Sequence, residues 1–301
     1  MRIGIDLGGT KTEGIVMGPR SQILHRERMA TPQGDYAATL RMLAELVAKL
    51  ERATGRSDLP VGMGHPGAIS PATGLLKNSN SVCLNGKPIK EDLEKILRRE
   101  IRMANDADCL AVSEQADGAA AGARTVFAVI LGTGCGGGIV ANGQLLRGPH
   151  AIAGEWGHNP LPWPRPEWDE VPGPQCWHGG YGCLETWISG SGMARDHQQV
   201  TGEKILCEEI VQRAEHGDEK AGATLARYED RLARALSMMI NTLDPDVIVA
   251  GGGVSRVPRI YRHVPALWDQ WVFSDRVDTK FVPAMHGDSS GVRGAAWLWP
   301  E

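Results

Sequence analysis

The chain has 301 residues, a length that suggests two domains of ordinary size or one large one. Hydrophobic residues make up 42% and charged residues 23%, which excludes wholesale disorder. Lys and Arg number 32 against 36 Asp and Glu, a formal charge of −4 with no polybasic stripe, so neither nucleic acid nor an anionic membrane is expected as a partner.

Six cysteines in a chain of this length do not make a disulfide scaffold. The start runs directly into an apolar strand pattern, without the charged and then apolar regions of a secretory leader. No run approaches the roughly 20 apolar residues of a membrane helix. The expected location is the cytoplasm, where clustered Cys and His point to metal rather than to disulfides.

Residues 3–7 alternate as a strand and enter Asp6-Leu7-Gly8-Gly9-Thr10-Lys11-Thr12, with residues 13–17 as the returning strand of a hairpin. Residues 36–53 form an amphipathic helix, its stripe made by Leu40, Leu43, Leu46, Val47 and Leu50 and its N-cap by Asp35. A short strand at 60–63 runs into Gly64-His65-Pro66-Gly67. A charged helix at 90–99, a strand at 100–104 and an Ala-rich helix at 106–118 follow.

The theme then restarts. Residues 125–131 are an apolar strand, 132–138 a second Gly-rich turn, and 139–141 a return strand that leaves through Asn142-Gly143, a strong hairpin turn, into 144–146. Strand, Gly/Thr turn and strand thus occur twice, which suggests two related lobes. Residues 148–190, rich in Pro, Gly and Trp, read as an ordered insertion. The longest helix spans 220–243, and a buried-type strand at 246–250 closes in Gly251-Gly252-Gly253. The pattern is α/β, with a cleft between two lobes.

Turns of Gly and Thr let backbone N–H groups approach a polyphosphate closely. Gly8-Gly9-Thr10 with Lys11, and Gly132-Thr133-Gly134, are candidates to clamp one nucleotide from both lobes, with Gly252 and Gly253 beside the nucleoside. Neither turn is a Walker A loop. Asp6 suits a Mg²⁺ ion held through water. Asn105-Asp106-Ala107-Asp108 places carboxylates where a strand becomes a helix. There Asp106 serves either as a base for an acceptor hydroxyl or only as a helix N-cap.

The segments 6–12, 131–138, Glu155-Trp156-Gly157-His158 and Cys176-x-His178-Gly179-x-x-Gly182-Cys183-x-Glu185 resemble the ROK family of bacterial sugar kinases, over essentially the whole chain. Asn78-Ser79-Asn80, residues 155–163 and the tail 286–300 are most similar to its manno(fructo)kinase branch. The resemblance implies the two-lobed actin/hexokinase (ribonuclease H-like) fold, divided here as 1–117 with 288–301 and 118–287. It implies Asp106 as catalytic base, with Asp108 pointing elsewhere. Sugar contacts fall on Asn80, Asn105, Glu155, His158 and Glu185, and on the loop residues Gly64, Pro66 and Gly67. His65 departs from the pattern, where an aliphatic residue is usual.

The same resemblance implies a structural zinc held by His158, Cys176, His178 and Cys183, with His178 where the family has Cys. The plainer reading is a metal-free insertion held by Trp163, Trp168, Trp177 and Trp187. Implied overall is a homodimeric, Mg²⁺- and ATP-dependent kinase acting on the C6 hydroxyl of fructose, with mannose second. N-acetylglucosamine or glucose are the alternatives within the class. A sugar-responsive repressor would need a DNA-binding segment ahead of Gly8, for which there is no room, and a nucleotide-gated scaffold would not need Asn105-Asp106. The lobes are expected to close on sugar about Gly118, Gly122 and 287–294, with Trp156, Trp163, Trp177 and Trp187 reporting closure.

Overall fold

The computed structural model describes residues 1–300. The first sheet takes β1 (Arg2–Leu7), β2 (Lys11–Met17), β3 (Ile23–Ala30), β4 (Val61–His65) and β7 (Ile101–Asn105), in the order β3-β2-β1-β4-β7. Between them lie α1 (Tyr36–Thr54), the small hairpin β5 (Ala68–Ile69) and β6 (Leu76–Lys77), and α2 (Ile89–Leu97). Helix α3 (Asp106–Asp117) leads to the second sheet, ordered β10-β9-β8-β11-β12. Its strands are β8 (Thr125–Leu131), β9 (Cys135–Ala141), β10 (Gln144–Leu145), β11 (Val247–Gly251) and β12 (Lys280–Pro283). The remaining helices are α4 (Leu184–Ile188), α5 (Gly190–Thr201), α6 (Cys207–Glu215), α7 (Glu219–Leu243), α8 (Ile260–His263) and α9 (Ser290–Trp297).

The two sheets share one plan. In each, an antiparallel hairpin (β1/β2, β8/β9) is extended by two parallel strands (β4 and β7, β11 and β12). The repeated strand–turn–strand theme of the sequence is therefore the centre of each sheet. Helix α1 starts where Asp35 accepts from the Ala38 N–H at 2.9 Å, and its apolar stripe is buried against the first sheet. Each fully buried Leu there is worth about 1.5–3 kcal/mol. The Asn142-Gly143 turn has φ of 52° and 74°, the twisted hairpin geometry that this dipeptide favours.

The second Gly-rich turn is shorter than the sequence suggests. Residues 135–138 belong to β9, not to the turn. The physical reason is close approach: a Cβ at Gly138 would stand 2.4 Å from the Ala107 carbonyl oxygen, so the glycines let the start of α3 lie on the strand. Helix α9 uses the same device. A Cβ at Gly294 would meet the Cys109 carbonyl oxygen at 1.7 Å, and one at Gly62 the Ala295 oxygen at 1.8 Å. So the tail helix packs on β1, β4 and α3.

The insertion is ordered chiefly by charge. Glu170, with a fully buried side chain, accepts from Arg231 Nε at 2.7 Å and from Arg234 Nη2 at 2.9 Å, both on α7. Arg231 also pairs with Asp196 at 2.8 Å and lies 4.4 Å over the Trp187 ring. The tryptophans are divided in role: Trp156 and Trp187 are core, Trp163 stacks on Trp271, and Trp177 is 68% exposed. Among the described residues no helix is long and apolar enough to cross a membrane.

Candidate active site

A cavity of about 310 Å³ lies where the two sheets meet. Asp6, Gly8 and Gly9 from the first hairpin line it, with Pro66, Asn80 and Asp106. Gly251 and Gly252 at the end of β11 line it from the second sheet, and Gly287, Asp288, Ser290 and Gly291 from the tail. One space therefore joins a Gly-rich hairpin, a second glycine turn and three carboxylates, Asp6, Asp106 and Asp288.

The first hairpin is braced from behind by residues that its motif does not include. Thr31 donates its hydroxyl to the Gly8 carbonyl at 2.8 Å and its N–H to the Thr10 carbonyl at 3.0 Å, and Gln33 donates to the Gly9 carbonyl. With these carbonyls occupied, the turn has its N–H groups left for an anion. The sequence marks Thr31 and Gln33 only by their place just after β3, a strand without apolar alternation.

Asn105, not Asp106, caps α3: its Oδ1 accepts from the Ala107 N–H at 2.8 Å, while its Nδ2 donates to the Gly67 carbonyl at 3.0 Å. This fixes the strand-to-helix junction that presents Asp106. Burial raises the Asp106 carboxyl above its ordinary range, and the Glu155 charge adds to this. Burial likewise lifts Asp6 to about 6, aided by the charges of Asp106 and Glu13 against the pull of Lys11. Asp6 and Asp106 face the same space, where carboxylates could hold the water shell of Mg²⁺.

A second cavity, about 510 Å³, runs along the free edge of β7 between the sheets. His65, Asn105, Asp108, Arg147 and Glu155 line it, with Ile69 and Lys90. Glu155 is raised by burial, which outweighs the opposing His158 charge, and Asp108 is lifted by burial to about 7 against the pull of Arg147.

The family model for the ROK family matches residues 2–301. The chain belongs to the ROK family. An N-acetyl-D-glucosamine kinase of Escherichia coli (strain CFT073) is 36% identical over 300 residues, 99% of each chain. The ROK hexokinase from Thermus thermophilus superposes with a TM-score of 0.87 at 28% identity, covering 98% of this chain and 96% of that one. A ROK glucokinase from Streptomyces griseus, in complex with glucose and AMPPNP, gives 0.77 at 26% identity, covering 99% and 98%.

Other residues singled out in this ROK sequence sit outside both cavities. Gly64, within β4, packs against Cys109. Thr10 is exposed at the first hairpin and Lys11 begins β2. Gly132, Thr133 and Gly134 close the β8/β9 hairpin, where the Gly132 and Thr133 carbonyls accept from Gly190 N and Ser191 Oγ, each at 2.8 Å. Gly253 opens a short 3-10 turn. Glu185 accepts from the Cys135 N–H at 3.0 Å and from Trp177 Nε1 at 3.1 Å, so it ties that hairpin to the insertion.

His158, Cys176, His178 and Cys183 do come together, with donor atoms all within 4.8 Å of one another. Donor atoms around a tetrahedral zinc lie about 3.3–3.8 Å apart, so a small contraction suffices. Burial and the facing Cys176 push the Cys183 thiol up to about 11. Two neighbouring thiols of this kind become thiolates when a cation sits between them. The donor set therefore fits zinc, with His178 included. The Trp177 ring stands edge-on to His158 at 5.3 Å, which makes it the one tryptophan of the four expected reporters beside both the metal donors and Glu185.

Proposed function

We propose that the protein is an ATP-dependent sugar kinase that moves the γ-phosphoryl group of Mg·ATP to the C6 hydroxyl of a hexose. The observation that carries this reading is the cavity that joins Asp106 to the Gly8-Gly9 turn and to Gly251-Gly252. Phosphoryl transfer asks for positioning and charge stabilisation more than for covalent chemistry. Asp106 takes the proton of the acceptor hydroxyl, and its raised carboxyl makes it a better base than an exposed aspartate. Asp6 holds Mg²⁺ through water, and the ion neutralises charge on the phosphates. Asn80, Asn105 and Glu155 hold the sugar from the two cavities. His158 and Glu185 stand behind them as part of the metal segment, and the two sheets close about Gly118–Gly122 and Gly287.

N-acetylglucosamine is the first substrate to expect, since it names relatives at 36% identity over nearly the whole chain. Fructose, with mannose, is the second. The chain's Asn78-Ser79-Asn80, its residues 155–163 and its tail 286–300 favour that reading. A coupled ADP-release assay over a hexose panel decides between them by kcat/KM. Turnover of no hexose, with ATP hydrolysed at one rate whether or not sugar is present, would overturn the kinase.

Two further outcomes are expected at this site. Purified protein never exposed to chelator should carry about one zinc per chain by elemental analysis, and Cys183→Ser should lose it. Protein isolated with far less than half a metal per chain would mean that His178 does not complete the set. Affinity for Mg·ATP should also fall as pH drops through about 6, where Asp6 takes up a proton. The sign follows from competition: the proton binds where the ion's water shell is held, so Mg·ATP binding near pH 6 releases protons. Calorimetry in buffers of different ionisation enthalpy measures that release, and Asp6→Asn should abolish it.

A further inference from the structure

His65 is a buried polar side chain of the cleft with no task in the kinase reading. It ends β4, is 2% exposed, and pairs in register with Asn105. It lines the 510 Å³ cavity beside Asn105 and Glu155. Its Nδ1 lies 3.2 Å from the Pro66 carbonyl oxygen. A carbonyl only accepts, so Nδ1 carries the proton and Nε2 is left as an acceptor. Burial holds the ring neutral, with its pKa lowered to about 4 against the weaker opposing pull of Pro66. No donor among the described residues reaches Nε2.

Nε2 is not sealed in the core but opens on the cavity, where it can take a donor from whatever occupies that space. The groups around it do not supply one. Glu155 and Asp108 are carboxyls, Asn105 Nδ2 is turned to Gly67, and Arg147 Nη2 reaches the Met103 carbonyl. Asp106, with the acceptor hydroxyl of the sugar, faces the other cavity with Pro66 and Asn80.

We propose that His65 is a specificity-determining residue, whose Nε2 accepts a hydrogen bond from a hexose hydroxyl on the side of the ring away from C6. The proposal rests on the kinase reading and names which part of the sugar that site inspects. A site built to bond a hydroxyl rejects the analogue that lacks it more strongly than an apolar wall rejects an added group. His65 thus selects against deoxy sugars.

The test compares wild type, His65→Leu and His65→Gln on the best hexose and its monodeoxy analogues. In wild type one deoxy position away from C6 should cost about 10- to 100-fold in kcat/KM, the range of a buried acceptor left unpaired. In His65→Leu that penalty should shrink below about three-fold while KM for the parent hexose rises by about ten-fold or more and kcat moves little. His65→Gln, which keeps an acceptor, should recover part of the penalty. A mutation-free measurement accompanies these: in wild type labelled with ¹⁵N-histidine, saturating hexose should shift the His65 Nε2 resonance as it gains a donor. Unchanged deoxy penalties in His65→Leu overturn the proposal. So does an unmoved Nε2 resonance, whether or not the variants fold. Wild type that phosphorylates no hexose sinks the kinase reading instead, and the proposal with it.

Discussion

Asp106→Ala should lower kcat by about 10²–10⁴-fold, about 3–5 kcal/mol of barrier, while Mg·ATP binds within a few-fold of wild type. The asymmetry is the point of the experiment. In the proposed reading the carboxylate acts on the acceptor hydroxyl, while the nucleotide belongs to the Gly8-Gly9 turn and Gly251-Gly252, which line the same cavity. The junction that presents Asp106 survives the change, because Asn105 makes the cap. A circular dichroism spectrum and melting curve like those of wild type would show this. Retention of more than about a tenth of wild-type kcat would remove Asp106 from the role of base. The acid limb of the wild-type rate profile should also lie above the ordinary aspartate range, since burial favours the protonated, inactive form.

Glu170→Ala should cost about 3–5 kcal/mol of folding stability, measured by urea unfolding, with kcat of the folded protein little changed. The substitution removes one carboxylate and leaves the Arg231 and Arg234 guanidinium groups buried without it. A buried ion pair is weak evidence of stability as a whole, yet breaking one partner strands the other charge. Burial works to raise the Glu170 pKa, but the bonds from Arg234, the Arg165 N–H and Arg231 win and hold it below 4.5. Its stabilising contribution is therefore complete above about 4.5 and is lost as pH falls through the lowered folded value. A loss under about 1 kcal/mol would mean that the arginines find water when the carboxylate goes.

Local signals carried much of the fold. Leu40, Leu43, Leu46, Val47 and Leu50 repeat at helical spacing behind a capping Asp35, and α1 lies there. Gly8-Gly9-Thr10 and Asn142-Gly143 each require a turn. Asp106 stands where an apolar strand becomes a helix, and both elements were visible on either side of it.

What stayed hidden depends on partners far away in the chain. Strand β3 carries Arg26, Glu27 and Arg28, a charged run with no apolar alternation to mark a strand; Arg26 and Arg28 share its exposed face and pair with Glu13 on β2. Gly136–Gly138 read as part of the second turn because a glycine run does not say whether it serves a turn or a passing helix. Nothing local marks Glu170, since its partners lie about 60 residues later on α7. His65 follows the expected strand at 60–63, and only the extension of β4 beside Asn105 buries it.

The tail helix gives the molecule a history as well as a shape. Ribosomes add roughly 5–20 residues per second, and α9 emerges long after the strands β1 and β4 that it covers. Throughout that interval the first sheet has its strands but not its lid, with Gly4 and Gly62 facing outward where the helix backbone belongs. The half of the protein that is translated first is thus completed last, on the order of ten seconds later. Chaperone dependence during synthesis should therefore track the arrival of Ser290–Trp297, and a stalled nascent chain ending before it should bind holdases that the released protein does not.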